Sequence, residues 1–271
     1  MKLLLERNVY GARAHAHGEE ARLTSLIDSM DTIGLAEMDS VALMDRVDTK
    51  FVLGKECLIQ LLPRLCYDYR VLEVEGVRIS PYATLYFDTP QLDCYREHHN
   101  RKLNRRKYRM RKYLTTGISF FEVKSKNNRG LTNKCRIPIE DIQETFTSDS
   151  IDFLRSVTGS VPQLLPQLWS HFSRVTLVNR HIAERVTLDW GLVFCSLEGA
   201  KELKNIVIAE VKQTTDDRSS PVRLQLRSLN VRPMRVSKYC LGSILLSPKL
   251  KQNRFKWKLL AIQKMLSNNP A

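Results

Sequence analysis

The sequence predicts a single α+β domain that is dominated by antiparallel strands, with helices outside the sheet and at both ends. Short runs rich in Val, Ile, Thr, Tyr and Phe recur between residues 46 and 213, as is typical of strands. Stretches with helical spacing of apolar residues interrupt and flank these runs. The 271 residues, 43% of them hydrophobic, are enough to bury a substantial core.

The predicted elements follow from these patterns in chain order. Strands are expected at 46–53, 69–75, 82–88, 105–113, 119–126, 134–139, 184–189, 192–197 and 205–213. Helices are expected at 23–33, 56–66, 150–157, 162–172, 220–229 and 255–266. Pro63 predicts an early end or a kink in the second helix. We expect an N-terminal extension with a short helix (1–34), the strand-rich domain (35–246) and a C-terminal amphipathic helix (247–271).

Charge and cysteine usage narrow the class of protein. The net charge is +14, which implies an anionic partner: nucleic acid, an acidic membrane surface or a phosphorylated ligand. No uncharged run is long enough to span a bilayer, and Glu6 and Arg7 cut the first apolar stretch too short for a secretory signal. The six cysteines lack C-x-x-C spacing, so neither a zinc site nor a redox motif is indicated. We therefore expect a soluble cytoplasmic protein with reduced thiols.

The distribution of the cations is more informative than their number. Side chains alternate between the two faces of a strand, so residues 105–111 place four cations on one face: Arg105, Lys107, Arg109 and Arg111. Like charges in a row repel one another unless an anion or facing carboxylates neutralise them. This strand therefore predicts a bound anion or an acidic neighbour.

Four further strands combine an apolar face with a charged one. Their charged faces hold Arg46, Asp48 and Lys50; Glu122, Lys124 and Lys126; Arg185, Thr187 and Asp189; and Glu210 and Lys212. An ordinary sheet with one solvated face explains the alternation. It explains less well the excess of cations over Ser, Thr and Gln, and the repeated Glu-x-Lys pattern at 122–124 and 210–212.

If these charged faces converge inside a barrel, they line a tunnel that attracts multivalent anions. Arginine forks match phosphate oxygens, and lysines act as point charges. The rarer carboxylates then make sense as ligands of Mg²⁺ or Mn²⁺, which bridges carboxylate and phosphate. For Asp189, which precedes Trp190 and Gly191, we favour a turn-capping role over metal binding.

With these residues the chain resembles the VTC-type polyphosphate polymerase domain, a branch of the triphosphate tunnel (CYTH-like) metalloenzymes. The matching stretches run from about Leu35 to Leu246, and their order and spacing together are specific. They are Arg-Val-Asp-Thr-Lys-Phe (46–51), Thr-Leu-Tyr-Phe-Asp-Thr (84–89), Tyr-Arg-Glu-His-His-Asn (95–100), Asn-Arg-Arg-Lys-Tyr-Arg-Met-Arg-Lys-Tyr (104–113), Phe-Glu-Val-Lys-Ser-Lys-Asn-Asn-Arg-Gly (121–130), Asn-Arg (179–180), Arg-Val-Thr-Leu-Asp (185–189), Ala-Glu-Val-Lys (209–212) and Ser-Lys-Tyr (237–239).

The resemblance implies an eight-stranded, antiparallel, closed β-barrel with peripheral helices and assigns roles to its lining. The catalytic cations would be Lys50, Arg109, Arg111, Lys124 and Lys238. Further phosphate-binding residues would be Arg180 and Arg185, with Arg105, Lys107, Lys134, Arg136, Lys212 and Arg235 as secondary lining. Glu210 resembles the principal carboxylate for Mn²⁺ or Mg²⁺, and Glu122 is a second candidate.

One departure bears on the reaction that the resemblance implies. Many tunnel enzymes open with Glu-x-Glu-x-Lys, whereas this chain reads Arg46-x-Asp48-x-Lys50, as is common in the polymerase branch. We therefore expect a stand-alone bacterial form that transfers phosphoryl groups on triphosphate or polyphosphate, synthesising polyphosphate from a nucleoside triphosphate.

Other functions stay open at this point. The chain could be an inorganic triphosphatase or a non-catalytic polyphosphate-binding protein. A nucleic-acid-binding module would use the basic run 101–113, with Tyr108 and Tyr113 as stacking platforms. That module does not account for Glu122 and Glu210 among cations, so we expect no nucleic acid partner. The helix at 255–266 is expected to pack on the barrel, although it could plug a tunnel mouth or touch an acidic membrane.

Overall fold

The computed structural model describes residues 17–38, 47–128 and 132–267. The strands of this part of the chain are β1 (Thr32–Gly34), β2 (Val47–Gly54), β3 (Tyr69–Glu73), β4 (Ser80–Asp88), β5 (Arg105–Tyr113), β6 (Ser119–Lys126), β7 (Thr132–Ile139), β8 (Leu165–Asn179), β9 (Glu184–Ser196), β10 (Gly199–Leu203) and β11 (Ile206–Gln213). Its helices are α1 (His17–Asp28), α2 (Leu35–Met38), α3 (Lys55–Leu61), α4 (Asp93–His99), α5 (Ser148–Thr158), α6 (Pro221–Ser228), α7 (Lys238–Leu246) and α8 (Lys256–Ser267). None of these helices is long and apolar enough to cross a lipid bilayer.

Eight strands form one antiparallel path in the order β2-β11-β9-β8-β4-β5-β6-β7. Strand β10 adds to β9, and β3 adds to β8 and pairs in parallel with β1. The fold is therefore α+β with a large antiparallel sheet. The closed barrel is not confirmed, because β2 and β7, the two ends of the path, share no strand pairing within the described residues.

The free edge of β2 has another occupant, which explains why hydrogen bonds do not close the sheet there. The backbone N–H of Met234 donates to the carbonyl of Lys50 at 2.7 Å, and Pro233 forms an isolated antiparallel bridge with Phe51. An exposed strand edge is a row of unpaired backbone groups that must be satisfied or covered. The segment between α6 and α7 therefore takes part of the place that a closing strand would need.

The predicted helix at 162–172 is wrong, because these residues open the long strand β8. Leu164, Leu168 and Phe172 recur every four residues, a spacing that suits one face of a helix and also one face of a strand. Pairing with β4 on one side and β9 on the other decides for the strand. Pro166 is tolerated near the strand's beginning.

Several predicted boundaries also differ from the structure. The runs 184–189 and 192–197 form the single strand β9, which accommodates Gly191 with a φ of 61°, where a side chain would be strained. The first predicted helix (23–33) instead ends at Asp28, and Ile33 lies in β1. Helix α3 ends at Leu61, two residues before Pro63. The sequence patterns did not predict α4 and α7.

Helices cover the sheet on both faces. On one face α1 and α3 bury Leu23, Ile27 and Leu58 against the apolar sides of β2, β8, β9 and β11. On the other face α7 packs on β8 and β9, while α8 contacts β2 and β11 and buries Ile262. A Cβ on Gly242 of α7 would lie only 2.6 Å from side-chain atoms of Leu168 and Phe194, so the helix backbone rests directly on the sheet.

Candidate functional site

Three carboxylates, two of them buried and one partly buried, lie among cations on the charged face of the sheet. The first is Asp189 on β9, which is 2% exposed. Arg174 on β8, its register partner, donates from Nε to Oδ1 at 2.5 Å and from Nη2 to Oδ2 at 2.7 Å. Lys238 Nζ, at the first residue of α7, also contacts Oδ2. Burial alone would raise the pKa of Asp189, but Arg174 and Lys238 hold it well below its usual range.

The second carboxylate is Glu210 on β11. Its Oε1 contacts Nζ of Lys50, its register partner on β2, and its Oε2 lies 2.8 Å from Lys212 Nζ. Lys212 also donates to Thr187 Oγ1 at 3.2 Å. Burial would raise the pKa of Glu210, but the two lysines hold it well below its usual range. Both oxygens are therefore occupied by ammonium groups.

The third carboxylate is Glu122 on β6, which is 1% exposed. Arg109, its register partner on β5, donates from Nε to Oε2 at 2.6 Å, and Lys134 on the neighbouring strand β7 contacts Oε1. Burial acts to raise the pKa of Glu122, whereas Arg109, Arg111 and Lys134 together lower it far below its usual range. This carboxylate thus holds cations of β5 and β7 in place.

Electrostatic effects between the ends of the strand path show that the charged faces approach one another. Burial lowers the pKa of Lys124 on β6, and the Glu210 carboxylate on β11 opposes that shift while Lys50 on β2 adds to it. Burial and the charges of Lys124 and Lys50 lower the pKa of Lys107 on β5 to about 8. Strands β2 and β11 begin the path, and β5 and β6 lie near its other end. Charged side chains from both ends of the strand path therefore lie near one another, and we refer to the region that they line as the interior.

Some interior cations have no carboxylate at ion-pair distance among the described residues. Arg111 is 6% exposed, and its Nε donates to Thr84 Oγ1 at 3.1 Å. Lys107 Nζ donates to Ser237 Oγ at 2.9 Å. Lys124 on β6 likewise has no ion pair within this part of the chain. These groups keep the charge that an incoming anion would neutralise.

Two stacked aromatic rings lie beside the cations Lys238, Arg174 and Arg111. Tyr82 and Phe172 have ring centroids 5.1 Å apart and nearly parallel planes. Lys238 Nζ lies 4.1 Å from the Phe172 centroid, and the Arg174 guanidinium lies 5.0 Å from that of Tyr82. Arg111 lies 5.5 Å from the Tyr82 centroid. The ring faces therefore offset part of the repulsion among three cations.

The structure brings together most of the residues that the sequence singled out. In or beside the interior lie Lys50, Lys107, Arg109, Arg111, Lys124, Lys134, Arg185, Lys212, Lys238, Glu122 and Glu210. Arg185 is placed there by its register with Lys212. Arg105 lies at the start of β5, opposite Lys126 of β6.

Three predicted phosphate-binding residues are exposed at the surface. Arg180 follows β8 at the surface, and its Nη2 lies 2.5 Å from Asp31 Oδ2. Arg136 on the edge strand β7 is a register partner of Glu122, but it is exposed and its guanidinium lies 4.3 Å from the Phe120 ring centroid. Arg235 is exposed in the loop before α7. Arg46 lies outside the described residues.

The sequence patterns missed Arg174 and misassigned Asp189. Arg174 was overlooked because the first half of β8 was predicted as a helix (162–172) and residues 173–183 were assigned to no element, although Ser170, Phe172 and Arg174 alternate with the outward Val175 in a strand pattern. The turn-capping role expected for Asp189 is wrong, since the residue lies inside β9 and is held by two cations.

The donor set fits a divalent cation under one condition. The described residues contain no cluster of three or more His, Cys, Asp or Glu side chains that could hold a metal. Glu210 and Glu122 each have both oxygens in contact with cations. Mg²⁺ in phosphate-transfer sites is commonly held by one or two carboxylates together with substrate phosphates. Glu210 and Glu122 therefore fit a metal ion that binds together with phosphate. The phosphate would draw the lysines away from the carboxylate oxygens, which could then bind the ion.

The chain matches one protein family in sequence and several solved structures in fold. The family model described as VTC domain matches residues 45–247. A putative adenylate cyclase from Bacillus halodurans has 17% identity and a TM-score of 0.48, covering 71% of this chain and 94% of its own. A putative adenylyl cyclase from Hippeastrum, described as revealing a dominant triphosphatase activity, has 16% identity and a TM-score of 0.44, covering 77% and 98%. No curated protein sequence gives a significant match.

Proposed function

This chain belongs to the VTC domain family, and from that membership and its cation-lined interior we propose that it transfers phosphoryl groups on triphosphates, assembling inorganic polyphosphate from a nucleoside triphosphate. The observation that carries the proposal is the excess of interior cations over the three carboxylates that hold them. We place this activity in residues 35–246 and in the cytoplasm, the compartment that the sequence predicts.

The interior residues divide into two roles in this proposal. Arg111 and Lys124 bind phosphate oxygens first, because neither has a carboxylate at ion-pair distance among the described residues. Arg109, Lys50 and Lys238 then exchange part of their carboxylate contacts for phosphate. Until that moment Glu122, Glu210 and Asp189 keep these cations oriented.

The transfer itself requires positioning and charge neutralisation more than covalent chemistry by the protein. The bond between the γ-phosphorus and its bridging oxygen breaks, the nucleoside diphosphate leaves, and a new P–O bond forms to the terminal oxygen of a phosphate chain. No serine, cysteine or histidine nucleophile is assigned. Helix α7 packs over the interior beside Lys238, which limits water as a competing acceptor.

Glu210, with Glu122 as a second candidate, would hold Mn²⁺ or Mg²⁺ together with phosphate oxygens. When bound, the ion supplies Lewis acidity and neutralises charge on the phosphates. Without a bound ion, the two carboxylates anchor the cations Lys50, Lys212, Arg109 and Lys134.

The product formed from ATP tests the proposal. Purified protein is incubated with ATP and Mn²⁺, and the products are resolved as polyphosphate on a gel and as free phosphate. We expect polyphosphate, and we expect chelation of the metal with EDTA to remove it. Free phosphate without polymer would instead indicate a triphosphatase, and binding without turnover a polyphosphate-binding protein. Metal-independent, salt-sensitive binding of DNA or RNA would indicate the nucleic acid module.

Binding of triphosphate should take up protons at alkaline pH. Burial lowers the pKa of Lys238 to about 7 and that of Lys107 to about 8, so both lose charge as pH rises through these values. An adjacent polyanion favours the charged form and raises both pKa values, so binding at pH 9 protonates both lysines. Affinity therefore falls as pH rises above about 8.

Calorimetry in two buffers with different ionisation enthalpies measures the number of protons taken up at pH 9. We expect a value near two for the wild-type protein and near one for Lys238→Met. Binding without proton uptake would contradict this assignment.

A further inference from the structure

A second set of cations lies where the row of cations on β5 leaves the interior. It comprises Arg105 at the start of β5, Lys126 at the end of β6, Arg235 before α7 and Lys258 in the first turn of α8, and we refer to it as the outlet cluster. Arg105 and Lys126 are direct register partners, so two like charges face each other across the strands. Such a pair is destabilising unless an anion lies between them.

Contacts tie the outlet cluster together. Lys258 Nζ donates to the backbone carbonyl of Arg235, and both residues line one small pocket with His98 and Ser237. Burial and the guanidiniums of Arg105 and Arg235 lower the pKa of Lys126. Burial, with the charges of Lys107, Arg105, Lys258 and Lys126, lowers the pKa of His98 to about 2, so this ring stays neutral at their centre.

Carboxylates do not balance this cluster. None of its four cations lies within ion-pair distance of an Asp or Glu among the described residues. The nearby Glu97 is engaged by Lys102 at 2.7 Å. Residues 247–271, which include α8, contain six lysines and arginines and no acidic residue. An anion bound from solution would therefore relieve a repulsion that no carboxylate of the described residues offsets.

The outlet cluster continues the interior row. Along β5 the cations Arg111, Arg109, Lys107 and Arg105 span about 20 Å at roughly 3.3 Å per residue. Lys107 joins the two regions, because its Nζ contacts Ser237 of the pocket while its charge acts on Lys124 of the interior. A ligand that contacts both the interior and the outlet cluster would therefore be linear, highly charged and longer than a triphosphate.

We propose that the outlet cluster binds the part of an inorganic polyphosphate chain that extends beyond the phosphates held in the interior. This proposal rests on the proposed function, since it assigns a path to the polymer made or held there. A cluster with this role contributes to affinity for long chains and not for triphosphate. It would thus hold a growing chain near the catalytic cations between successive transfers.

The test compares two ligands on one charge-removing variant, Lys126→Gln with Lys258→Gln, which lies outside the interior. Calorimetry measures the Kd of inorganic triphosphate and of size-fractionated long-chain polyphosphate. We expect the long-chain Kd to rise about fivefold to tenfold, as the loss of two partly exposed ion contacts implies, and the triphosphate Kd to stay the same. Thermal melting verifies that the variant is folded.

Two matched variants sharpen the comparison. Lys126→Arg with Lys258→Arg keeps the charges and should bind like the wild type. Lys201→Gln with Lys204→Gln removes two exposed lysines beside β10 and should leave the long-chain Kd unchanged, which excludes a mere effect of net charge.

Several outcomes would overturn the proposal: no change in the long-chain Kd, an equal loss of triphosphate affinity, or an equal loss of affinity for single-stranded DNA. Equal loss for DNA would mark a general polyanion surface. A wild-type protein that fails to bind triphosphate would refute the proposed function separately, while the long-chain comparison would still decide the role of the outlet cluster.

Discussion

The variant Arg109→Ala with Arg111→Ala is expected to lose turnover of triphosphate by about 10³-fold or more. Guanidiniums that stabilise a transferring phosphoryl group contribute rate factors of that order. Both side chains face the interior, and Arg111 has no carboxylate at ion-pair distance among the described residues, so its charge is available to phosphate. Steady-state release of phosphate and polymer from ATP with Mn²⁺ measures the effect.

The same strand offers a matched control. Arg106 and Lys112 lie on the opposite face of β5, so Arg106→Ala with Lys112→Ala removes equal charge without touching the interior. This control should keep wild-type turnover. A second variant, Arg109→Lys with Arg111→Lys, retains charge beside Glu122 and separates loss of the guanidinium from loss of folding. Unchanged turnover in a folded double-alanine protein would contradict the site assignment.

The variant Asp189→Asn is expected to lose about 3–5 kcal/mol of unfolding free energy. It keeps the shape of the side chain but leaves Arg174 and Lys238 buried without a counter-charge, and breaking a buried ion pair from one side typically costs this much. Urea denaturation in phosphate-free buffer measures the loss. Added triphosphate should stabilise the variant more than the wild type, because the two cations no longer have to give up a carboxylate.

The control for this variant is Asp141→Asn. Asp141 is about half exposed and pairs with Lys112 at 3.0 Å, so its replacement should cost no more than about 1 kcal/mol. A loss as small for Asp189→Asn would show that Arg174 and Lys238 do not depend on the buried carboxylate. An equal gain from triphosphate in variant and wild type would contradict the competition between Asp189 and phosphate.

Alternation along single strands allowed much of the site to be predicted from the sequence. In β5, β6 and β11 the charged residues of the site recur at every second position, and the predicted spans 105–113, 119–126 and 205–213 lie within one residue of the observed strands. For the same reason the pairing of Glu210 with Lys212 could be anticipated as a shared face. Here a local pattern and the tertiary structure impose the same requirement.

The failures arose where the outcome depends on distant partners. A spacing of four residues at the start of β8 suits both a helix and a strand, so only pairing with the flanking strands β4 and β9 decides between them. Because this strand was not predicted, the position of Arg174 on its charged face could not be predicted either. The ion pair between Arg174 and Asp189 joins two strands whose register is not visible in either one alone. Closure of the sheet depends on which segment reaches β2, and that segment is Pro233–Met234, twenty residues beyond the last strand.

The missing side chain of Gly242 has a consequence for a residue that it never touches. Helix α7 lies so close to Leu168 and Phe194 that one added methyl group would force either the helix or these two side chains to move. Lys238 begins that helix four residues earlier, about one turn away, and moves with it. The position of the Lys238 ammonium group relative to Asp189 therefore depends on residue 242 having no side chain.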